Sequence, residues 1–125
     1  MKLIKINEVP EKGVSHNAKL RKRELISCGE LGPVTTYSRA VFPPGEKAGA
    51  HAHADVAEVF TILSGAGEIR INDVAYVLAA GTTVVVEPGE VHEIINTGTA
   101  DLVISYFGVL VPFENDSLNR WNVSK

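Results

Sequence analysis

The stretch Gly45-Glu-Lys-Ala-Gly-Ala-His51-Ala-His53-Ala-Asp-Val-Ala-Glu58-Val-Phe-Thr-Ile-Leu-Ser-Gly65 decides the fold. His51 and His53 are two apart, so in an extended segment they project to one face, with Cα atoms about 6.5 Å apart. That is close enough for two imidazoles to converge on one cation at about 2 Å each. Residues Ala54–Ala57 can turn the chain, so that Glu58 opens a new strand on the same face as Phe60 and Ile62. A carboxylate among such neighbours is costly unless a metal, an arginine or a hydrogen-bond cluster compensates it. Taken singly, two histidines in a loop are usually solvated and a glutamate at a strand start is usually exposed.

Further along, Gly81-Thr-Thr-Val-Val-Val-Glu87-Pro88-Gly89-Glu-Val-His92-Glu-Ile-Ile-Asn96 ends in a segment where His92, Ile94 and Asn96 share one face. Glycines and prolines divide the middle of the chain into short β-branched and aromatic runs: Val34–Phe42, Glu58–Leu63, Glu68–Ile71, Thr82–Val86, Val91–Asn96 and Leu102–Val111. Ile71-Asn72-Asp73-Val74 suits a tight hairpin. Short strands between regular turn signals predict an all-β sandwich or barrel. At the N-terminus, Lys2–Ile6 alternates and predicts one more strand. Asn7–Arg23 is polar and proline-punctuated, and its basic residues Lys19, Arg21, Lys22 and Arg23 read as a solvated face.

The 125 residues fit one domain: a core barrel over about 34–111, an N-terminal arm 1–33 and a tail 112–125 in which Trp121 could dock. A net charge of −3 offers no basic field for a nucleic acid or an anionic membrane. No apolar run is long enough for a membrane helix and the start lacks a signal-peptide core, so a soluble cytoplasmic protein is expected. The lone Cys28 asks for no oxidising compartment.

Together the two histidine-bearing stretches resemble the two motifs of the cupin family, G(X)5HXH(X)3-4E(X)6G and G(X)5PXG(X)2H(X)3N. Gly45, His51, His53, Glu58 and Gly65 match the first. Gly81, Gly89, His92 and Asn96 match the second, with Glu87 in the proline slot and Pro88 one place later. The resemblance covers residues 45–96, with flanking strands extending it to about 34–111. It implies a double-stranded β-helix (jelly-roll) barrel with His51, His53, Glu58 and His92 as the ligands of one divalent transition metal per chain. Three imidazoles and a carboxylate suit Fe, Mn, Ni, Cu or Zn. Four protein ligands on an octahedral ion leave two adjacent positions open.

Other residues are weaker candidates. Tyr37 and Arg39 share one face of Val34–Phe42, and Thr36, Ser38, Ala40 and Phe42 the other. An inward Arg39 could hold a carboxylate bidentately, although an outward arginine is the commoner arrangement. Tyr106 could line the pocket as an acid or hydrogen-bond donor, with Phe42, Phe60, Ile62 and Ile94 as its apolar walls. Asn96 reads as a structural amide, His16 as surface and Cys28 as non-catalytic. The expected function is a metal-dependent enzyme on a small organic molecule, of dioxygenase type or else a decarboxylase, isomerase or lyase. The alternatives are a non-catalytic binding or sensing module and a metal-free cupin. A homodimer is expected, since an unpaired Lys2–Ile6 edge would invite pairing.

Overall fold

The computed structural model describes residues 1–14 and 17–111. His16 and the tail with Trp121 lie outside them. Among the described residues ten strands are formed: β1 (Lys12–Val14), β2 (Asn17–Ser27), β3 (Val34–Phe42), β4 (Lys47–His51), β5 (Val56–Ser64), β6 (Ala66–Ile71), β7 (Val74–Ala79), β8 (Thr83–Val86), β9 (His92–Ile95) and β10 (Leu102–Leu110). They make two antiparallel sheets, ordered β1-β2-β3-β10-β5-β8 and β4-β9-β6-β7. The all-β expectation is met.

Inward positions alternate as half-buried strands require. Glu58, Phe60 and Ile62 of β5 and His92 and Ile94 of β9 are buried. They meet Ala40, Phe42, Leu102 and Ile104 from the first sheet and Ile69 and Leu78 from the second in one core. Asn72 (φ 49°) and Asp73 (φ 68°) form the two-residue turn between β6 and β7. Both angles are those a hairpin turn matched to strand twist requires, and Asn and Asp tolerate them best after glycine. Asn72 also accepts a hydrogen bond from the Val91 amide at 3.0 Å and donates its own to the Val91 carbonyl at 2.8 Å. This braces the hairpin against the segment that leads into His92.

Gly65 shows where close approach forbids a side chain. Its φ is +84°, and a Cβ there would run into the Asp101 carbonyl. Asn96, buried at the end of β9, donates to the Phe42 and Ala100 carbonyls at 2.8 Å each and accepts from the Gly98 amide at 2.9 Å. It is the structural amide expected.

One expectation fails at the N-terminus. Lys2–Ile6 is not a strand; the chain makes only a short 3-10 turn over Ile6–Glu8. The edge of the first sheet is β1 instead. The polar stretch Asn7–Arg23, for which the sequence named no strand, holds β1 and most of β2. The charged run hides the strand: only Leu20 provides a strong inward apolar anchor, and it is fully buried.

Candidate metal centre

Four side chains from opposed sheets meet at one end of the barrel cavity. Glu58 comes from β5 in the larger sheet. His51 at the end of β4 and His92 at the start of β9 are register partners in the smaller one, and His53 follows in the loop. One potential ligand atom from each lies within 4.8 Å of all the others. Around an octahedral ion with bonds of about 2.1 Å, neighbouring donors sit about 3 Å apart and opposite ones about 4 Å. The cluster therefore has roughly the size of one coordination shell.

The ring orientations are fixed from behind. His51 Nδ1–H donates to the Gly49 carbonyl at 2.8 Å and His92 Nδ1–H to the Glu90 carbonyl at 3.1 Å. Each bond selects the tautomer that leaves Nε2 as a lone pair facing the cluster. Glu58 Oε1 lies 3.0 Å from His92 Nε2 and 3.4 Å from His53 Nε2. Glu58 Oε1 and His92 Nε2 are buried, and neither has an aligned hydrogen-bond partner. Two buried acceptors turned toward each other are unfavourable unless a cation or a proton lies between them. The four residues fit a divalent metal ion on that ground.

Charge in the cluster is mutually adjusted. Burial, the largest influence on Glu58, pushes its pKa up, but His92 together with His53 and His51 overcomes this and leaves it below the ordinary carboxylate value. For His92 burial pulls downward, and the Glu58 carboxylate and Glu90 carbonyl raise it above the ordinary imidazole value.

Beside the cluster lies a cavity of about 130 Å³ walled by Phe42, Phe60, Ile94 and Ile104, with Val14 and Leu20 reaching in from β1 and β2. Tyr106 is its one protic lining side chain besides the cluster residues. Its ring stacks on Phe60, 5.5 Å between centroids. Burial raises the pKa of its phenol, with the neighbouring Ser38 hydroxyl pulling the other way, so the group is protonated at neutral pH. The turn before His92 departs from the motif without harm to the site. Glu90 N–H closes it onto the Glu87 carbonyl at 3.2 Å, and Gly89, at φ +83°, donates to the His53 carbonyl at 2.7 Å.

Arg39 is on the outer face, exposed, and takes no part in the cavity. The inward alternative is thereby corrected: β3 alternation turns Ser38 and Ala40 inward and leaves Arg39 out. Missed by sequence were Leu20 and Val14 as cavity walls and Ser38 as the cross-strand neighbour of Tyr106. The cross-strand pairing of Ser38 with Tyr106 could not be read from spacing.

A cluster of three histidines and a glutamate that could hold a metal, set in a two-sheet barrel, is the arrangement of a cupin, and the chain belongs to that family: the cupin domain model matches residues 38–110. The solved structure of a predicted oxalate decarboxylase from Thermotoga maritima superposes with a TM-score of 0.82 at 25% identity, covering 88% of this chain and 100% of that one. KdgF from Halomonas shares the fold, with TM-score 0.74 at 16% identity over 94% and 98% of the two chains. The barrel is thus a double-stranded β-helix. Among curated proteins, an oxalate-binding protein of Thermotoga maritima is 36% identical over 66 residues, 53% of this chain. The match spans about half the length of that relative (54%). No helix among the described residues is long and apolar enough to cross a membrane.

Proposed function

We propose that this chain is a metal-dependent cupin that binds one divalent transition-metal ion through His51, His53, Glu58 and His92 and acts there on a small bidentate organic anion of the oxalate class. The facing, unpartnered Glu58 Oε1 and His92 Nε2 carry this reading. Bound in the cluster, an ion of Fe, Mn, Ni, Cu or Zn would supply Lewis acidity, and the redox-active ones an electron as well. The chain's own residues do the rest. The Gly49 and Glu90 carbonyls hold the imidazole tautomers, and Phe42, Phe60 and Ile94 keep water from the cavity. Tyr106, protonated, is placed to donate a hydrogen bond or a proton to an anion beside the cluster. Oxalate as the class is supported by the two Thermotoga maritima relatives, and the reaction by the dioxygenase or decarboxylase chemistry expected of such a ligand set.

The test is reconstitution of chelator-treated protein with each metal, elemental analysis, then calorimetry with oxalate and assays of carbon dioxide release and oxygen uptake. Stoichiometric metal with oxalate binding supports the proposal, and product formation completes it. Less than one metal per chain under every condition, or no binding of oxalate and related acids, sinks it. A second reading, ligand binding without chemistry, is favoured by the relative named as oxalate-binding and by the scarcity of protic groups around the cavity. Ligand-induced thermal stabilisation with no product selects it.

A homodimer is part of the proposal. With no Lys2–Ile6 strand to pair, its support moves to the outer face of the larger sheet. There Ile26, Tyr37, Phe107, Val59 and Val85 run in register across β2, β3, β10, β5 and β8. Tyr37, Phe107 and Val85 are 37%, 37% and 55% exposed. A flat apolar row of this kind can meet its own copy across a two-fold axis. The exposed, unpaired Cys28 supports the cytoplasmic expectation.

A further inference from the structure

Arg39 pairs in register with Arg23 of β2, and Arg21 lies opposite Val41, so three guanidinium side chains share the outer face of the sheet beside the apolar row. Directly opposed like charges on neighbouring strands are unfavourable unless something offsets them. Glu11 offsets one: its Oε1 accepts from Arg21 Nε at 2.8 Å and lies 2.7 Å from Nη2, while its Oε2 is 3.9 Å from Arg23. Arg23 Nη1 instead donates to the Val9 carbonyl at 2.5 Å and more distantly to that of Ile6, tying the N-terminal turn down onto the sheet. Arg39 has no carboxylate within ion-pair distance among the described residues.

These side chains surround a cleft of about 280 Å³ between the turn and the sheet, walled by Ile6 and Asn7 and floored by Val41 and Val103. It is more than twice the size of the barrel cavity and far roomier than the ~15 Å³ that one water needs. Three guanidinium groups against one carboxylate leave two uncompensated positive charges. We infer that this cleft is a second binding site, for a small organic dianion: a dicarboxylate or phosphate monoester whose charged end lies between Arg39 and Arg23 and whose short apolar body rests on Val41 and Val103. Guanidinium forks bind both oxyanions through paired hydrogen bonds. The site opens on the face of the sheet opposite the metal cluster and does not depend on it.

The experiment uses metal-free full-length protein, so that binding in the barrel is not mistaken for binding in the cleft. Inorganic phosphate and succinate are titrated separately while the arginine Nε–H signals are followed by 1H–15N NMR. The Nε–H resonances of Arg21, Arg23 and Arg39 are expected to shift with a Kd of about 1 mM, weakening at high salt. Arg39→Gln should weaken binding by about tenfold, as loss of a charge-assisted contact does. Glu11→Gln should strengthen it, by releasing Arg21. The tighter of the two probes tells phosphate ester from carboxylate. Absence of these shifts with both anions, or identical titrations for the wild type and Arg39→Gln, overturns the inference. So would shifts confined to residues around His51 and His92.

Discussion

Glu58 Oε1 and His92 Nε2 face each other at 3.0 Å across the gap between the two sheets. Each arrives on a strand whose alternating neighbours, Phe60 and Ile62 on one side and Ile94 on the other, are core. The sheets' packing thus brings together a pair of polar atoms that are poorly satisfied alone. A cation between them relieves both.

Metal binding should therefore raise stability measurably. At a free metal concentration about one hundred times Kd, the linked stabilisation is about 2.7 kcal/mol, or about 10 °C in Tm for a domain of this size. Differential scanning calorimetry of loaded and chelator-treated protein measures it. Glu58→Gln should abolish most of the difference while still folding; an undiminished metal-dependent shift in that variant would exclude Glu58 as a ligand.

Without metal, the pair makes stability depend on pH in both directions. The His92 pKa is raised above 6.5 against the pull of burial, chiefly by Glu58, so its contribution is complete below 6.5 and fades as pH climbs through the raised value. Glu58 is held below 4.5 although burial opposes this; its contribution is present above 4.5 and disappears as pH falls through the lowered value. The site thus stabilises metal-free protein most between 4.5 and 6.5. Loaded protein behaves differently, because the imidazoles must be neutral to bind and the metal leaves as pH falls through about 6. Thermal melts against pH, with and without chelator, should diverge above that point. Full metal occupancy at about pH 4.5 after equilibrium dialysis would contradict the ligand assignment.

Tyr106→Phe separates chemistry from architecture. Losing the hydroxyl should cost no more than about 1 kcal/mol, and metal content should be unchanged. Affinity for oxalate or turnover should drop by about tenfold or more if the phenol meets the ligand. Equal affinity and turnover in wild type and variant would confine Tyr106 to a packing role.

Gly65→Ala tests the backbone that closes the barrel. The residue is left-handed, and the new methyl meets the Asp101 carbonyl, so a loss of about 2–4 kcal/mol is expected in urea denaturation. Leu20→Ala should cost a similar amount, about 2–5 kcal/mol, because it empties a fully enclosed wall of the cavity. A near-neutral Leu20→Ala would mean that β2 closes over the space without its anchor.

How much of this was legible in sequence depended on what marked each segment. The runs that became β3, β5 and β10 were bounded by Gly and Pro and rich in Val, Ile and Phe, and they appear within a few residues of their expected limits. The clustering of His51, His53, Glu58 and His92 was legible from histidine and glycine spacing, because a motif records where turns must bring strands together. Strand β2 was not, since Lys22 and Glu24 lie on the same face as Leu20, opposite Ala40 and Ser38, and blur the alternation. β4, made of Lys, Ala, Gly and His, carries almost no strand signal of its own; pairing with β9 makes it one. Parity correctly grouped Arg39 with Tyr37, but which face turned outward depended on the whole sheet.

The amide of Gly89 bonded to the carbonyl of His53 joins two histidine-bearing segments that lie far apart along the chain. His53 has a side chain 43% accessible, against 2% for His92, so it stands at the mouth and His92 at the back. A main-chain shift at His53, though not a mere turn of its ring, would stretch the bond to the turn that leads into His92. The outermost and innermost imidazoles of the cluster thus hang from backbone segments stitched to each other.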